Sequence, residues 1–434
     1  MTDAAAVRAR FDAVPMGAVQ KTVVALTFAL SALDGYDVLS VAFAAPSISV
    51  EWGIGKAALG IILSAGLMGM AAGAFVLAPL ADIVGRKTIV LLCLALMAVG
   101  MAASGFAGTL PELTGWRVVT GLGIGGCVAT INPIAAEFAN ARRRALTVSI
   151  MAIGYPVGGL LGGVLAAVLL RYYDWRAVFF AGFAAAVVLL PLVAWLMPES
   201  IGYLLTRRGV RALPRINAVL NRCGHDGITS AVLDGIVQRR GYAALFGERP
   251  GATAWITIAN LLYAAAVYYV LSWLPQMVAD AGFSASSASI VSAVASLAGV
   301  GGGLTLGWLA QRYGLRWLTS GAMIGLGCAT IAFGVMPPIL PLLTLAGGVC
   351  GLFLFAGGAG LYATIATTFS DEARASGSGF VSGVGRVASA GAPLLAGYLF
   401  AGGMSRGDVS LSFGLVAALA GLIIMLGWRR FRAT

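Results

Sequence analysis

Residues 78–87 read Ala-Pro-Leu-Ala-Asp-Ile-Val-Gly-Arg-Lys and separate two long apolar runs. A related stretch, residues 307–316, reads Gly-Trp-Leu-Ala-Gln-Arg-Tyr-Gly-Leu-Arg at the corresponding place in the second half of the chain. Each stretch holds a polar residue, a glycine three positions later and then basic side chains; these are Asp82, Gly85, Arg86 and Lys87 in the first and Gln311, Gly314 and Arg316 in the second. This internal repeat indicates a chain built from two related halves.

The 434-residue chain is much more apolar than a soluble globular protein, with 59% hydrophobic and 10% charged residues and a mean hydropathy of +0.93. Runs of about 20 apolar residues are long enough to cross a bilayer as helices. We find such runs at 22–43, 57–80, 88–107, 111–136, 145–169, 177–197, 253–274, 285–309, 317–336, 341–367, 377–401 and 409–428. The prediction is an all-α membrane protein with twelve transmembrane helices in two pseudo-symmetric six-helix halves.

Residues 199–251 form the one long hydrophilic segment, and they divide the apolar runs six and six. We therefore predict an N-terminal half over 1–198, a cytoplasmic interdomain linker over 199–251 and a C-terminal half over 252–434. Within the linker, arginines alternate with leucine and valine from 204 to 215, a pattern that predicts short amphipathic helices.

The distribution of basic residues predicts the orientation. When the spans are threaded alternately through the bilayer, most of the 28 basic residues fall on the side that also carries both termini. The exceptions are four in the opposite loops and two inside spans: Lys56, Arg171, Arg176, Arg406, Arg117 and Arg386. By the positive-inside rule both termini are predicted to be cytoplasmic.

This asymmetry also explains the net charge of +11, so we expect no nucleic-acid partner. The five cysteines and the single histidine, His225, show no metal-ligand spacing. We therefore expect no metal or organic cofactor, and a lipid bilayer as the surroundings.

Asp34 and Asp37 lie in the middle of the first apolar run. At this spacing they share one helical face, and each costs roughly 2.5–3.5 kcal/mol at the centre of a membrane. Two carboxylates so close together cannot easily both ionise in a medium of low dielectric constant, so one is expected to hold a proton. The pair is our candidate proton-coupling site, with protons as the coupling ion.

Arg117, inside the fourth span, requires a partner. Asp34 or Asp37 is the predicted partner. Such a pair either couples proton occupancy to helix packing or is a static ion pair that fixes spans one and four together.

Two six-span halves with this repeated loop resemble the major facilitator superfamily. The resemblance implies that the halves rock about a central site and that the loop is a gate latch. In the first copy, Asp82 can pair with basic groups or cap a helix, Gly85 permits a tight turn, and Arg86 and Lys87 anchor the cytoplasmic face.

The two copies of the loop differ from the family pattern. The first has Ala78 where the family has glycine, and the second has Gln311 where the acid is expected. We therefore expect the N-terminal copy to matter more. Glu137, at the inner end of the fourth span, is predicted to pair with the arginines that follow it or with the latch.

A narrower resemblance rests on four segments. Asp34-Gly35-Tyr36-Asp37 resembles the Asp-Gly-x-Asp signature of the aromatic acid:proton symporters, and residues 117–126, 268–275 and 379–386 are similar to the same family. The resemblance implies a bacterial inner-membrane protein, active as a monomer, that imports a small aromatic carboxylate such as a hydroxybenzoate or benzoate together with protons.

Arg386 is suited to a bidentate grip on the substrate carboxylate. Tyr36, Tyr268, Tyr269 and Trp273 are candidates for contacts with the ring. Aromatic side chains are also common in bundle packing and at membrane interfaces, so packing is the alternative for each.

A proton-coupled antiporter of drugs or other organic solutes is the alternative function. It too would use membrane carboxylates, but export of cations or neutral amphiphiles would gain nothing from Arg386. A membrane-embedded enzyme is not expected, because the spans contain no histidine and no paired nucleophile and base.

Overall fold

A computed structural model describes residues 11–12, 14–206, 212–225, 227, 250–369 and 374–431. Its helices, which we label in chain order, are α1 Ala18–Trp52, α2 Lys56–Val84, α3 Arg86–Phe106, α4 Leu110–Phe138, α5 Arg144–Tyr172, α6 Arg176–Leu196, α7 Ile201–Thr206, α8 Ala212–Arg222, α9 Pro250–Asp280, α10 Ala285–Tyr313, α11 Leu315–Val335, α12 Leu340–Thr368, α13 Arg374–Ala401 and α14 Arg406–Phe431. Helices α1–α6 form the N-terminal half and α9–α14 the C-terminal half.

Within these described ranges, twelve helices are long and apolar enough to span a membrane. The predicted all-α, twelve-span architecture is therefore confirmed. Several helices are longer than the apolar runs that predicted them: α1 extends from Ala18 to Trp52, beyond the run 22–43. A helix of 29 residues, such as α2, is about 43 Å long. This exceeds a hydrocarbon core of roughly 30 Å, so hydropathy alone does not reveal the helix ends.

Both copies of the repeated loop turn at a glycine with positive φ. Gly85 has φ 122° and ψ 141°, and Gly314 has φ 84° and ψ 142°, a region that side chains with a Cβ rarely adopt. The matching turns end α2 and α10, the equivalent helices of the two halves. We call the end of the bundle that carries them the basic face, and the end with the turns at 53–55 and 281–284 the opposite face.

Equivalent helix pairs pack through small residues in the two halves. A Cβ added to Gly125 of α4 would lie 2.0 Å from the Met70 carbonyl oxygen of α2. In the C-terminal half, a Cβ on Gly351 of α12 would lie 1.9 Å from the Ala295 carbonyl oxygen of α10. Glycine therefore allows direct backbone contact at both crossings, as small residues do in membrane helix pairs.

The halves meet closely near the opposite face. Lys56, at the start of α2, lies 2.6 Å from the Asp280 carboxylate at the end of α9. A Cβ on Gly60 would lie 3.0 Å from the Pro393 carbonyl oxygen of α13. On the other side of the bundle, the Ser286 hydroxyl of α10 donates to the Ala167 carbonyl of α5 at 2.7 Å. We infer a conformation in which the halves are closed together at this face.

The part of the linker that the structure describes packs against the N-terminal half. In α8, Ile216 and Leu220 are fully buried in a cluster that includes Phe138 of α4, whereas Arg215 is exposed. This helix is amphipathic and its apolar face contacts protein, but it overlaps the predicted segment 204–215 only from Ala212 onward. The linker arginines Arg207, Arg208 and Arg211 lie outside the described residues.

Candidate functional site

A tight crossing of α1 and α5 positions the acidic segment. A Cβ on Gly35 would lie 2.0 Å from the Tyr155 carbonyl oxygen, and one on Gly158 would lie 1.8 Å from the Ala32 carbonyl oxygen. The backbones are therefore in contact at a point that lies between Asp34 and Asp37 in the sequence. Any side chain at position 35 would force the two helices apart.

Asp37 forms an ion pair with Arg117, as the sequence predicted for one of the two acids. Arg117 Nη1 donates to Asp37 Oδ1 at 2.6 Å, and Nη2 donates to the Asp37 carbonyl at 2.9 Å. The side chains are 1% and 0% exposed, and the guanidinium lies 5.7 Å from the centre of the Phe179 ring. The pair is enclosed within the N-terminal half, between α1 and α4.

Asp34, one turn earlier on α1, has a different environment. Its residue is 5% exposed, and its Oδ1 accepts no hydrogen bond from any residue that the structure describes. The cation that acts on it most strongly is Arg386 of α13, which belongs to the other half. No ion pair within 4 Å joins these two described side chains, and Arg386 Nη1 is likewise a buried donor without a partner in the described chain.

Tyr268 of α9 is the aromatic candidate that lies at this site. It interacts electrostatically with Arg386 and with Asp34, and it packs against two apolar clusters, one drawn from both halves and the other mainly from the N-terminal half. The structure thus brings together Asp34, Arg386 and Tyr268, which the sequence predicted separately.

Tyr155 is a member of this group that sequence reasoning missed. It interacts electrostatically with Tyr268 and Asp34, and its ring centre lies 6.2 Å from that of Phe355 in the other half. The available signal was Gly35, because a glycine between two functional acids indicates a close helix crossing at that point. The sequence does not show which residue of α5 crosses there.

Three other aromatic candidates are occupied in packing within their own half. The Tyr36 hydroxyl donates to the Val178 carbonyl of α6 at 2.5 Å. Tyr269 stacks on Phe413 with ring centres 4.3 Å apart, and Trp273 Nε1 donates to the Pro393 carbonyl at 3.1 Å. The structure does not bring Tyr36, Tyr269 or Trp273 to Asp34 and Arg386, and these contacts favour the packing interpretation of each.

The first copy of the repeated loop forms a charged network on the basic face. Arg86 Nη1 donates to Glu137 Oε1 of α4, and Arg86 Nη2 lies 3.5 Å from Asp82. The other oxygen of Glu137 accepts from the Ser200 hydroxyl at 2.5 Å. Glu137 therefore pairs with the loop, which is one of the two partners predicted for it.

Lys87 connects the same loop to the end of α6. Its Nζ donates to the Ala194 carbonyl at 2.6 Å, and its backbone N–H donates to Glu199 Oε1 at 3.0 Å. This carboxylate caps the first turn of α3, where negative charge is favourable. The network joins α2, α3, α4 and α6 within the N-terminal half.

The second copy has no equivalent carboxylate. Gln311 is exposed, and Arg316 Nε donates to the Met425 carbonyl at 3.1 Å while its guanidinium lies over the Trp317 ring. Among the described residues, the acid-based network is thus confined to the first copy, where the sequence retains Asp82.

Comparisons with known proteins place the chain in a family. The model of the Major Facilitator Superfamily matches residues 25–339 and, in a second match, 256–434. The gallate transporter of Pseudomonas putida is 30% identical over 428 residues, which cover 97% of this chain and 94% of the relative. The 4-hydroxybenzoate transporter of Pseudomonas aeruginosa is 28% identical over 433 residues, with 97% and 95% covered.

A solved structure supports the fold. The xylose transporter of E. coli in a partially occluded inward-open conformation matches with a TM-score of 0.75 and 16% identity, covering 95% of this chain and 98% of that one. The two-half architecture and the aromatic acid family predicted from sequence are thus confirmed. The chain is a multi-pass inner-membrane protein that belongs to the Major Facilitator Superfamily and, within it, to the group of these aromatic acid transporters.

Proposed function

We propose that this protein imports a small aromatic carboxylate together with protons by alternating access. The observation that carries the proposal is that Asp34 and Arg386 interact electrostatically across the interface of the halves without forming an ion pair. Each has a buried polar atom with no hydrogen-bond partner in the described chain. Buried polar groups are normally satisfied, so unsatisfied ones at a domain interface are suited to an external ligand.

The charges of the two groups explain how anion and proton binding are coupled. When Asp34 is ionised, it offsets the positive charge that would attract a carboxylate to Arg386. When Asp34 is protonated, Arg386 is free to bind the anion. Proton binding therefore favours anion binding, and by linkage the anion favours the proton. No other cofactor takes part.

The Asp37–Arg117 pair has a supporting role in this proposal. Both partners belong to the N-terminal half, so rocking of one half against the other leaves the pair intact. It neutralises the second acid of α1 and fixes α1 against α4. Of the two roles considered from the sequence, we favour the static ion pair, and we assign the proton to Asp34.

The relatives support the choice of substrate class. Those described above carry the names of transporters of gallate and 4-hydroxybenzoate, and one at 30% identity is a 3-(3-hydroxy-phenyl)propionate transporter of Escherichia coli. Tyr268 and Tyr155 interact electrostatically with Asp34, and their rings can contact the ring of a substrate bound there. An enzymatic activity is not proposed, and the protein is taken to act as a monomer.

The charged loop on the basic face is the proposed gate latch. Arg86, Glu137 and Asp82 join helix ends of one half and so make that half move as a rigid body.

The alternative function is export of an organic cation. In that case the positive charge of Arg386 would repel the substrate.

Counterflow in proteoliposomes distinguishes the two functions. Liposomes loaded with unlabelled 4-hydroxybenzoate are given labelled 4-hydroxybenzoate outside, and competitors are added. We expect benzoate and 3-phenylpropionate to compete and the organic cation tetraphenylphosphonium not to compete. Competition by the cation alone would support the antiporter.

A further inference from the structure

The hydroxyl of Tyr155 is a buried polar atom that the proposed cycle does not use. It makes no hydrogen bond of normal geometry with any residue that the structure describes, although it is shielded from solvent; the Tyr268 side chain is a polar neighbour with which it interacts. Leaving a buried hydroxyl without a well-formed hydrogen bond costs stability. Such a cost in the middle of a helical bundle points to a partner that is present during function.

The backbone of Tyr155 lies at the crossing of α5 and α1. A Cβ on Gly35 would lie 3.0 Å from the Tyr155 Cα, so the two helix backbones are in direct contact at this residue. Tyr155 is therefore held in place by the contact that also positions Asp34. A side chain on such a rigid support is suited to recognise a ligand group at a defined place.

The surroundings of Tyr155 place it at the interface of the halves. Asp34, Tyr268 and Tyr362 all act on it electrostatically, and the Phe355 ring faces it from the C-terminal half. Arg386 in turn acts on Asp34 and Tyr268. Tyr155 and Arg386 thus both interact electrostatically with Asp34 and Tyr268, and neither buried polar atom is hydrogen-bonded to the other.

We infer that Tyr155 is a specificity-determining residue, whose hydroxyl hydrogen-bonds a hydroxyl group on the substrate ring while Arg386 binds the carboxylate. This inference rests on the proposed function and adds that the site selects substrates with a hydroxyl group on the ring. The ring itself would lie between these two groups, beside Tyr268. A benzoate without a ring hydroxyl would leave the Tyr155 hydroxyl unsatisfied.

The chemistry of the substrate restricts where the ring hydroxyl lies. In 2-hydroxybenzoate the hydroxyl donates to its own carboxylate, so it is not available to a second protein group. In 3- and 4-hydroxybenzoate the hydroxyl is remote from the carboxylate and can reach a separate site. The inference therefore applies to meta and para hydroxyls, and 2-hydroxybenzoate should behave like benzoate.

The test is competition counterflow with the Tyr155→Phe variant, which keeps the ring and removes only the hydroxyl. For each protein, half-inhibiting concentrations are measured for benzoate and for 2-, 3- and 4-hydroxybenzoate. We expect the wild type to prefer 3- or 4-hydroxybenzoate over benzoate, and this preference to fall by about tenfold in Tyr155→Phe. The affinity of the variant for benzoate and 2-hydroxybenzoate should stay within about twofold of the wild-type value.

The control is Tyr172→Phe, which removes an exposed hydroxyl from the end of the same helix. It should leave all four values unchanged. If Tyr155→Phe transports normally and keeps the full preference for the hydroxylated ring, the inference about Tyr155 is wrong while the proposed function stands. If no aromatic carboxylate competes in the wild type, the proposed function itself is wrong.

Discussion

Arg117 binds Asp37 through both its carboxylate and its backbone carbonyl, at 2.6 and 2.9 Å. The arginine thus neutralises the side chain and fixes the α1 backbone at the same residue. Among the described residues Asp34, one turn away, has no such partner, and the cation that acts on it most strongly is Arg386 in the other half. When the halves move, Asp37 therefore keeps its partner Arg117, whereas Asp34 moves relative to Arg386.

The first prediction concerns the ion pair. Asp37→Asn leaves the positive charge of Arg117 buried without a counter-charge, and breaking a buried pair in this way costs about 3–5 kcal/mol. We expect a clear loss of thermal stability in detergent, measured by the unfolding of the purified protein. The double variant Asp37→Asn/Arg117→Gln removes both charges and should recover part of the loss. A single variant as stable as wild type would contradict the structural role of the pair.

The second prediction concerns the helix crossing. Gly35→Ala places a methyl group where the Tyr155 carbonyl oxygen lies, 2.0 Å from the new Cβ. Because backbone cannot yield as a flexible side chain does, we expect poor folding yield and reduced stability.

The matched control for this crossing is Gly321→Ala in α11, where a new Cβ has nothing within 4 Å among the described residues. There the substitution should be neutral or stabilising by up to about 1 kcal/mol, because alanine is the better helix former. Equal behaviour of the two variants in a thermal unfolding assay would show that the α1–α5 contact is looser than described.

The third prediction concerns the anion site. Arg386→Gln removes the charge proposed to bind the substrate carboxylate. Loss of one partner of a buried charge pair costs about 2–5 kcal/mol, so binding should weaken by about 30-fold or more. Equilibrium binding of labelled 4-hydroxybenzoate measures this effect. Arg171→Gln, which changes an exposed arginine on the opposite face, should bind normally. Unchanged affinity in Arg386→Gln would move the carboxylate site elsewhere.

The fourth prediction concerns the contact at the opposite face. Lys56 and Asp280 join the two halves but are 29% and 44% exposed, so their pair is worth at most about 1 kcal/mol. Lys56→Gln should increase the population in which this face is open, by up to about fivefold. The measurement is labelling by a membrane-impermeant thiol reagent of a cysteine placed at Ser286, which contacts Ala167 of the other half at this face, in a background without the native cysteines. The charge exchange Lys56→Asp/Asp280→Lys should restore the lower labelling rate.

Much of the fold could be predicted from the sequence because length and hydropathy determine which segments span a bilayer. The repeated glycine turn at Gly85 and Gly314 also had a local cause, since both positions need positive φ. The helix ends were less predictable because the helices continue beyond the hydrocarbon core. The side on which the termini lie stays a prediction from the positive-inside rule.

The candidate site was predictable in its charges and less so in its aromatic residues. A buried arginine needs an acid, which identified the partners of Arg117 to within one helical turn. The choice of Asp37 depends on how α1 is rotated against α4, which spacing alone does not fix. Tyr36, Tyr269 and Trp273 were plausible ring contacts because tyrosine and tryptophan suit both binding and packing. Only the tertiary structure shows that their polar atoms are already bonded within their own halves.

The central claim is that Asp34 carries the proton that drives uptake, and accumulation in proteoliposomes under an inward proton gradient tests it most directly. Wild-type protein should accumulate labelled 4-hydroxybenzoate above its external concentration, and a protonophore should abolish the accumulation. The Asp34→Asn variant should still exchange the labelled anion in counterflow but should not accumulate it. Accumulation by Asp34→Asn at the wild-type level, or wild-type accumulation that a protonophore leaves unchanged, would contradict the account.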